Sequence, residues 1–302
     1  MARHGFTAIP IDKTDQGHLV LTVRLNGRKA QCTIDTGFTY SAADRDRAGK
    51  LPPLDRTAPD LELPKAAFAR SNVVWSRIGH LDLGGYRARD VPVQSVDMAK
   101  ENRRGWFSRM LEGREMFESE LVLGADFLRR HNAVIEYQST PILYLRTRSL
   151  ESPLQASFEG SLTNLGFLPI RLYHLETLGW VVPAHFDGVK IPLLLDTGSY
   201  QTLLDLGFVQ QLGLPTLDAA RQILGVEGRR TSLKLAQFKE ARIGAFTIPK
   251  PRVGVADLTL WNLSRTNLSM FQPRGLIGGE FFVKTHAIID CDNQKLWCST
   301  RR

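Results

Sequence analysis

The chain has 302 residues, 43% of them hydrophobic and 23% charged, which is enough for two ordinary domains or one large one. Its formal net charge is +8, but the densest basic clusters, Arg103-Arg104 and Arg229-Arg230, are only pairs, which argues against a nucleic-acid-binding stripe. No apolar run has the length of a membrane-spanning helix, and the three cysteines and seven histidines fall in no zinc spacing, so no metal is expected.

Met1 to Phe6 lacks the apolar stretch of a signal peptide, and the first strand, AIPI, follows almost at once. The expectation is a mature periplasmic or secreted domain, with a cytoplasmic protein as the alternative. The strand HLVLTVRL then runs into Asn26-Gly27, a two-residue hairpin signal, because type I′ turns need positive φ at both positions. An alternating segment follows and ends at Asp35-Thr36-Gly37. Further on, Ile78–Val93 reads as a hairpin turning at Gly84-Gly85. A helix is predicted near Ser108–Glu118, and Leu121–Tyr137 gives an apolar run, Gly124, an acidic residue and a final strand. The segment Arg148–Gly166, rich in Ser and Gly, reads as a linker between halves.

The second half repeats this order. Asp187-Gly188 turns a hairpin that ends at Asp196-Thr197-Gly198, and each turn residue stands nine positions before its aspartate. A helix is predicted over Leu203–Leu214, then a hairpin at Gly244, then Gly275–Cys291, which matches Leu121–Tyr137. One Asp-Thr-Gly is weak evidence, since about one chain in twenty of this length would hold it by chance. Four features repeated in one order are not chance. Cys291 and Cys298 flank a turn and either bridge or remain two thiols; Cys32 reads as a small core residue. The histidines, His18 among them, read as surface or satisfied core residues.

On these motifs the chain resembles the aspartic proteases, specifically two retropepsin-like units in tandem. The resemblance covers nearly the whole chain. It implies an all-β fold of two pseudo-symmetric barrels with short helices, residues 1–150 and 151–302, and a cleft between them. It implies that Asp35 and Asp196 form a catalytic dyad supported by Thr36, Gly37, Thr197, Gly198 and Ser199. Leu123-Gly124 and Ile277-Gly278 are the elements that pass behind the two loops. It further implies a peptide or protein substrate, a monomer, and no metal or organic cofactor.

Two departures bear on activity. After Asp-Thr-Gly the family carries a small residue, as at Ser199, whereas the first half has Phe38 and then Thr39. Phe38 is expected to shift the loop or narrow the cleft; aligning Tyr40 with Tyr200 instead gives the first loop an extra residue, with Thr39 in the place of Ser199. The second half has a glycine-tipped flap at Gly225, Val226, Glu227 and Gly228. Its counterpart, Pro64–Ser76, has no glycine. Phe68 or Trp75 is expected against substrate there, with a core position as the alternative. Trp106 and Trp261 mirror each other as cleft walls or as cover for the barrel ends. The rival function is a catalytically impaired, protease-like peptide-binding protein.

Overall fold

The computed structural model describes residues 5–14, 17–54, 74–96, 119–147, 151–176, 178–224, 230–258 and 272–299. The first half contains β1 (Thr7–Pro10), β2 (Asp12–Lys13), β3 (Leu19–Leu25), β4 (Arg28–Ile34), β5 (Ala42–Asp44), β6 (Val74–Asp82), β7 (Arg87–Val96), β8 (Leu121–Leu123), α1 (Ala125–Arg130), β9 (Val134–Glu136) and β10 (Ile142–Leu145). Next come α2 (Ser152–Asn164), β11 (Leu168–Arg171), β12 (Tyr173–Leu175), β13 (Gly179–Phe186), β14 (Val189–Leu195), β15 (Leu203–Asp205) and α3 (Leu206–Gln211). The chain continues through β16 (Thr216–Leu224), β17 (Arg230–Gln237), β18 (Glu240–Ile243), β19 (Phe246–Pro249), β20 (Arg252–Ala256), β21 (Gly275–Ile277), α4 (Gly279–Lys284), β22 (Ile288–Asp290) and β23 (Lys295–Cys298).

The fold is all-β with short helices. One sheet runs β2-β3-β4-β8-β5-β7-β6, and an added β3–β6 pairing closes it into a barrel. A second runs β16-β17-β20-β15-β21-β14-β13-β18-β19, with β12 on β13. The third, β1-β10-β9-β22-β23-β11, joins strands from both halves. The first two sheets share a sequence of pairings. β4 lies parallel to β8, β8 antiparallel to β5, and β5 parallel to β7. Likewise β14 lies parallel to β21, β21 antiparallel to β15, and β15 parallel to β20.

The hairpins that deliver Asp35 and Asp196 form where the turns predict. Asn26 and Gly27 have φ of 48° and 87°, and Asp187 and Gly188 have 48° and 82°, the left-handed pairs of type I′ turns. Each fixes a register: Leu25 pairs with Arg28 and, at the far end, Leu19 with Ile34. Phe186 pairs with Val189, and Val181 with Leu194. The strand ends before both aspartates are core: Ile34 and Leu195 are fully buried.

The linker expectation is corrected. Residues 152–164 form α2, begun by a proline in its first turn and carrying Phe158 and Leu162 on one face, one turn apart. Both pack on Phe6, Tyr144 and Trp297 under the joint sheet. With only those two positions apolar and buried, the helical stripe is faint in the sequence. Helices α1 and α4 are also unpredicted; six residues each are too few to show a 3.6-residue period. The helix predicted over Leu203–Leu214 is a strand followed by the short α3, and the segment after the first Asp-Thr-Gly is strand β5 and a turn. The helix predicted near Ser108–Glu118 lies outside the described residues. All three cysteines are free and buried, so Cys291 and Cys298 do not bridge.

Replacing Phe158 by Ala should lower stability by about 3 kcal/mol, because a docked aromatic is lost. Equilibrium urea unfolding checks this. A loss under about 0.5 kcal/mol, the value for an undocked surface position, would contradict the docking of α2.

Candidate active site

Asp35 follows β4 and Asp196 follows β14. Each is held from behind by the neighbouring parallel strand. The Asp35 amide donates to the Leu123 carbonyl at 3.1 Å, and the Asp196 amide to the Ile277 carbonyl at 3.1 Å. The next residues, Gly124 and Gly278, pass directly under the loops. A Cβ on Gly124 would lie 2.6 Å from the Phe38 carbonyl oxygen, and one on Gly278 would lie 2.5 Å from the Gln201 carbonyl oxygen. No side chain fits at either position.

The two loops are bound to each other by their threonines. Thr36 Oγ1 donates to the Leu195 carbonyl at 2.8 Å and accepts from the Thr197 amide at 3.0 Å. Thr197 Oγ1 donates to the Ile34 carbonyl at 3.1 Å and accepts from the Thr36 amide at 3.0 Å. Both threonines are fully buried. Four hydrogen bonds thus cross between residues 159 to 163 positions apart in the chain.

Above this layer the carboxyl groups meet. Each accepts its own loop's amides: Gly37 donates to Asp35 Oδ1 and Gly198 to Asp196 Oδ1, both at 2.8 Å. The two carboxyls lie within electrostatic reach of each other. The glycines are interleaved with them. A Cβ on Gly37 would lie 2.7 Å from Asp196 Cγ, and one on Gly198 would lie 2.6 Å from Asp35 Cγ. Any larger residue in either loop would push into the opposite carboxylate.

Burial raises the pKa of both acids. Asp196 is raised well above the ordinary aspartate value, first by burial and then by the Asp35 charge. Asp35 is raised by burial and held down by the Gly37 amide and by His18. Two like charges in contact cannot both ionise, so one proton is kept between them. Beneath them Tyr137 is buried with its hydroxyl unpaired among the described residues. Burial and then the charges of Asp196, Asp35 and Glu280 push its ionisation far up, so it stays neutral. Among the described residues no group of three or more His, Cys, Asp or Glu is placed to hold a metal.

The second tier is built alike in both halves. Asp126 accepts from the Ser41 amide and hydroxyl at 2.8 and 2.7 Å, and Glu280 accepts from the Thr202 amide at 2.7 Å. Burial pushes Asp126 up to about 6. The loop alignment follows from these bonds. The Ala125 amide binds the Phe38 carbonyl and the Gly279 amide binds the Ser199 carbonyl, both at 2.8 Å. Phe38 therefore stands where Ser199 stands, and the first loop has no extra residue. Thr39 does not replace Ser199. The Phe38 ring packs on Ala42 and Val122, so the bulky residue leaves the loop's hydrogen bonds intact. The Ser199 hydroxyl turns inward to the Gln201 carbonyl at 2.8 Å.

Of the expected cleft residues, Trp75 takes the core position. It is 4% exposed in β6, with its ring edge-to-face on Tyr40 at 5.6 Å. Gly225, Val226, Glu227 and Gly228, together with Phe68, Trp106 and Trp261, lie outside the described residues. One residue beside the dyad was missed. His18 lies close to the Gly198 backbone and within electrostatic reach of Asp35. Counting pairs back from the Asn26-Gly27 turn would have found it opposite Asp35.

Residues 182–281 match the family model of aspartyl proteases. Over that segment the chain is similar to the aspartyl proteases. The match spans the second Asp-Thr-Gly loop, the Ile277-Gly278 element and the first half of α4. Among solved structures, conglutin gamma, a basic 7S globulin from lupine seeds, aligns over 98% of this chain and 95% of its own, at 7% identity and a TM-score of 0.51. That likeness is one of fold. A retropepsin-like aspartic protease from Rickettsia conorii aligns over 44% of this chain and 90% of its own, at 18% identity and a TM-score of 0.29. No curated protein matches the chain in sequence.

Two outcomes follow from the geometry. Thr36→Val removes two bonds and leaves the buried Thr197 amide and Leu195 carbonyl unpaired. At about 1–3 kcal/mol for each orphaned group, it should destabilise strongly in urea unfolding, while Thr36→Ser should stay near wild type. Equal losses in both variants would contradict the role of the hydroxyl. The raised carboxyls make a second prediction. The folded state holds their protons more tightly than the unfolded chain, so the stability they contribute is full at acid pH and lost as pH rises through the folded values. Asp196→Asn should therefore melt above wild type at neutral pH, and the gap should close below the ordinary aspartate range. Thermal melts across pH test this; a variant that melts lower at neutral pH would refute it.

Proposed function

We propose that the chain is an aspartic endopeptidase with two retropepsin-like lobes, residues 1–150 and 151–302, each supplying one carboxylate. The observation that carries this reading is the convergence of Asp35 and Asp196, set at the ends of equivalent hairpins and each interleaved with the other loop's glycine. The aspartyl protease match over 182–281 supports it. The ionised carboxylate takes a proton from a water whose oxygen attacks the scissile carbonyl. The protonated partner gives its proton to the carbonyl oxygen, forming a neutral diol. A proton then passes to the amide nitrogen, the C–N bond breaks, and acid and amine leave. No covalent intermediate or metal is needed.

Both carboxylates come from one chain, so a monomer suffices. The substrate is an extended peptide, paired strand-fashion with the hairpins around the cleft. Among the described residues no helix is long and apolar enough to cross a membrane.

Wild-type protein should cleave a mixed peptide library, and pepstatin should block cleavage. Asp35→Asn and Asp196→Asn should each lose at least about 10²–10⁴-fold in kcat/KM with the fold retained by circular dichroism. Activity retained in either variant would defeat the dyad. Peptide binding without turnover by folded wild type would favour the binding-protein reading.

A further inference from the structure

The two halves differ at one position that faces the dyad. In the β3–β4 hairpin the last ladder pair is Leu19 with Ile34, so the next position places His18 opposite Asp35. In the β13–β14 hairpin Val181 pairs with Leu194, so the same count places Gly179 opposite Asp196. One aspartate faces an imidazole and the other faces a residue with no side chain. Gly179 cannot be enlarged freely: its φ is +97°, and a Cβ would come within 3.1 Å of the Thr36 carbonyl oxygen.

His18 is fixed in place. Its carbonyl accepts from the Thr14 amide at 3.0 Å, and its own amide donates to Thr14 Oγ1 at 3.1 Å. Gly17, at φ +85°, lets this turn lie on Tyr200 just past the second loop; a Cβ there would be 2.9 Å from the Tyr200 ring. The turn and the register together bring the imidazole near the Gly198 backbone and Asp35. Among the described residues the groups around it are few. Asp35 faces it from β4, and Asp196 lies beyond Asp35. Tyr200 adjoins the turn, and Asp12 and Lys13 on β2 are exposed. Tyr137, beneath the dyad, is neutral.

We infer that His18 is a positioning residue that places the dyad's single negative charge on Asp35 and leaves its proton on Asp196. Asp35 then takes the proton from water, and Asp196 protonates the carbonyl. This assignment rests on the peptidase reading for its catalytic meaning, but not for its electrostatics. The protonated imidazole donates to the Gly198 carbonyl and attracts charge to the near carboxylate. Burial lowers the ring's own pKa, and Asp35 and the Gly198 carbonyl oppose that fall. The effect is therefore strongest at acid pH, where the ring is charged.

Two measurements on the full chain test the inference. The first is the pH profile of kcat/KM on a cleaved peptide for wild type, His18→Gln and His18→Phe. Loss of the cation should move the acid limb up by about one pH unit in both variants, with KM on the plateau unchanged. An unmoved limb would overturn the inference. The second needs no turnover: the His18 imidazole is titrated by ¹⁵N NMR in wild type, Asp35→Asn and Asp196→Asn. Removing the Asp35 charge should lower the His18 pKa, whereas Asp196→Asn should leave it level or raise it. Equal falls in both variants, or none, would overturn the assignment. The expected NMR pattern without any cleavage would refute the peptidase reading and leave the charge assignment standing.

Discussion

Two half-buried carboxyl groups brought against each other set the terms for the rest of the molecule. Left alone they would repel, ionise separately and drive the halves apart. The buried threonine pair prevents this. Its hydrogen bonds join each loop to the strand end of the other half, so neither carboxyl can retreat without orphaning buried polar groups. The glycines complete the constraint, because each loop glycine leaves just enough room for the opposite carboxylate. The parallel strands β8 and β21, and the glycines that follow them, brace the loops from behind.

Symmetry brings the acids together, and asymmetry gives them different surroundings. The pairings around β4 and β14 are equivalent, as are the Asp126–Ser41 and Glu280–Thr202 contacts. A perfectly even dyad would share its proton evenly. Here His18 stands on one side and Gly179 on the other. The Phe38–Ser199 difference, by contrast, sits at the loop edge, where the ring packs outward on Ala42 and Val122 without altering the loop.

Much of the site was legible because turn chemistry and register are local. Asn26-Gly27 and Asp187-Gly188 dictate hairpins, and the hairpins place Asp35 and Asp196 at strand ends. The same counting would place His18 opposite Asp35, but a single scattered histidine carries no motif to prompt it. The loop alignment stays open in the sequence because two tyrosines, Tyr40 and Tyr200, look equivalent. Backbone hydrogen bonds to α1 and α4 decide the matter instead, and those helices are too short to announce themselves. Helix α2 was hidden in a Ser- and Gly-rich segment; what makes it a helix is the docking of Phe158 and Leu162, a tertiary effect. The match of Trp75 to a cleft failed for the same reason, since strand alternation does not say which face is covered.

The central claim is that Asp35 and Asp196 titrate as one unit. Its most direct measurement is a ¹³C NMR titration of the aspartate carboxyls in wild type, assigned with the two Asn variants. The account predicts that both signals respond in two coupled steps, with one proton kept well above the ordinary aspartate range and held mainly on Asp196. Two independent titrations at ordinary aspartate values would contradict it.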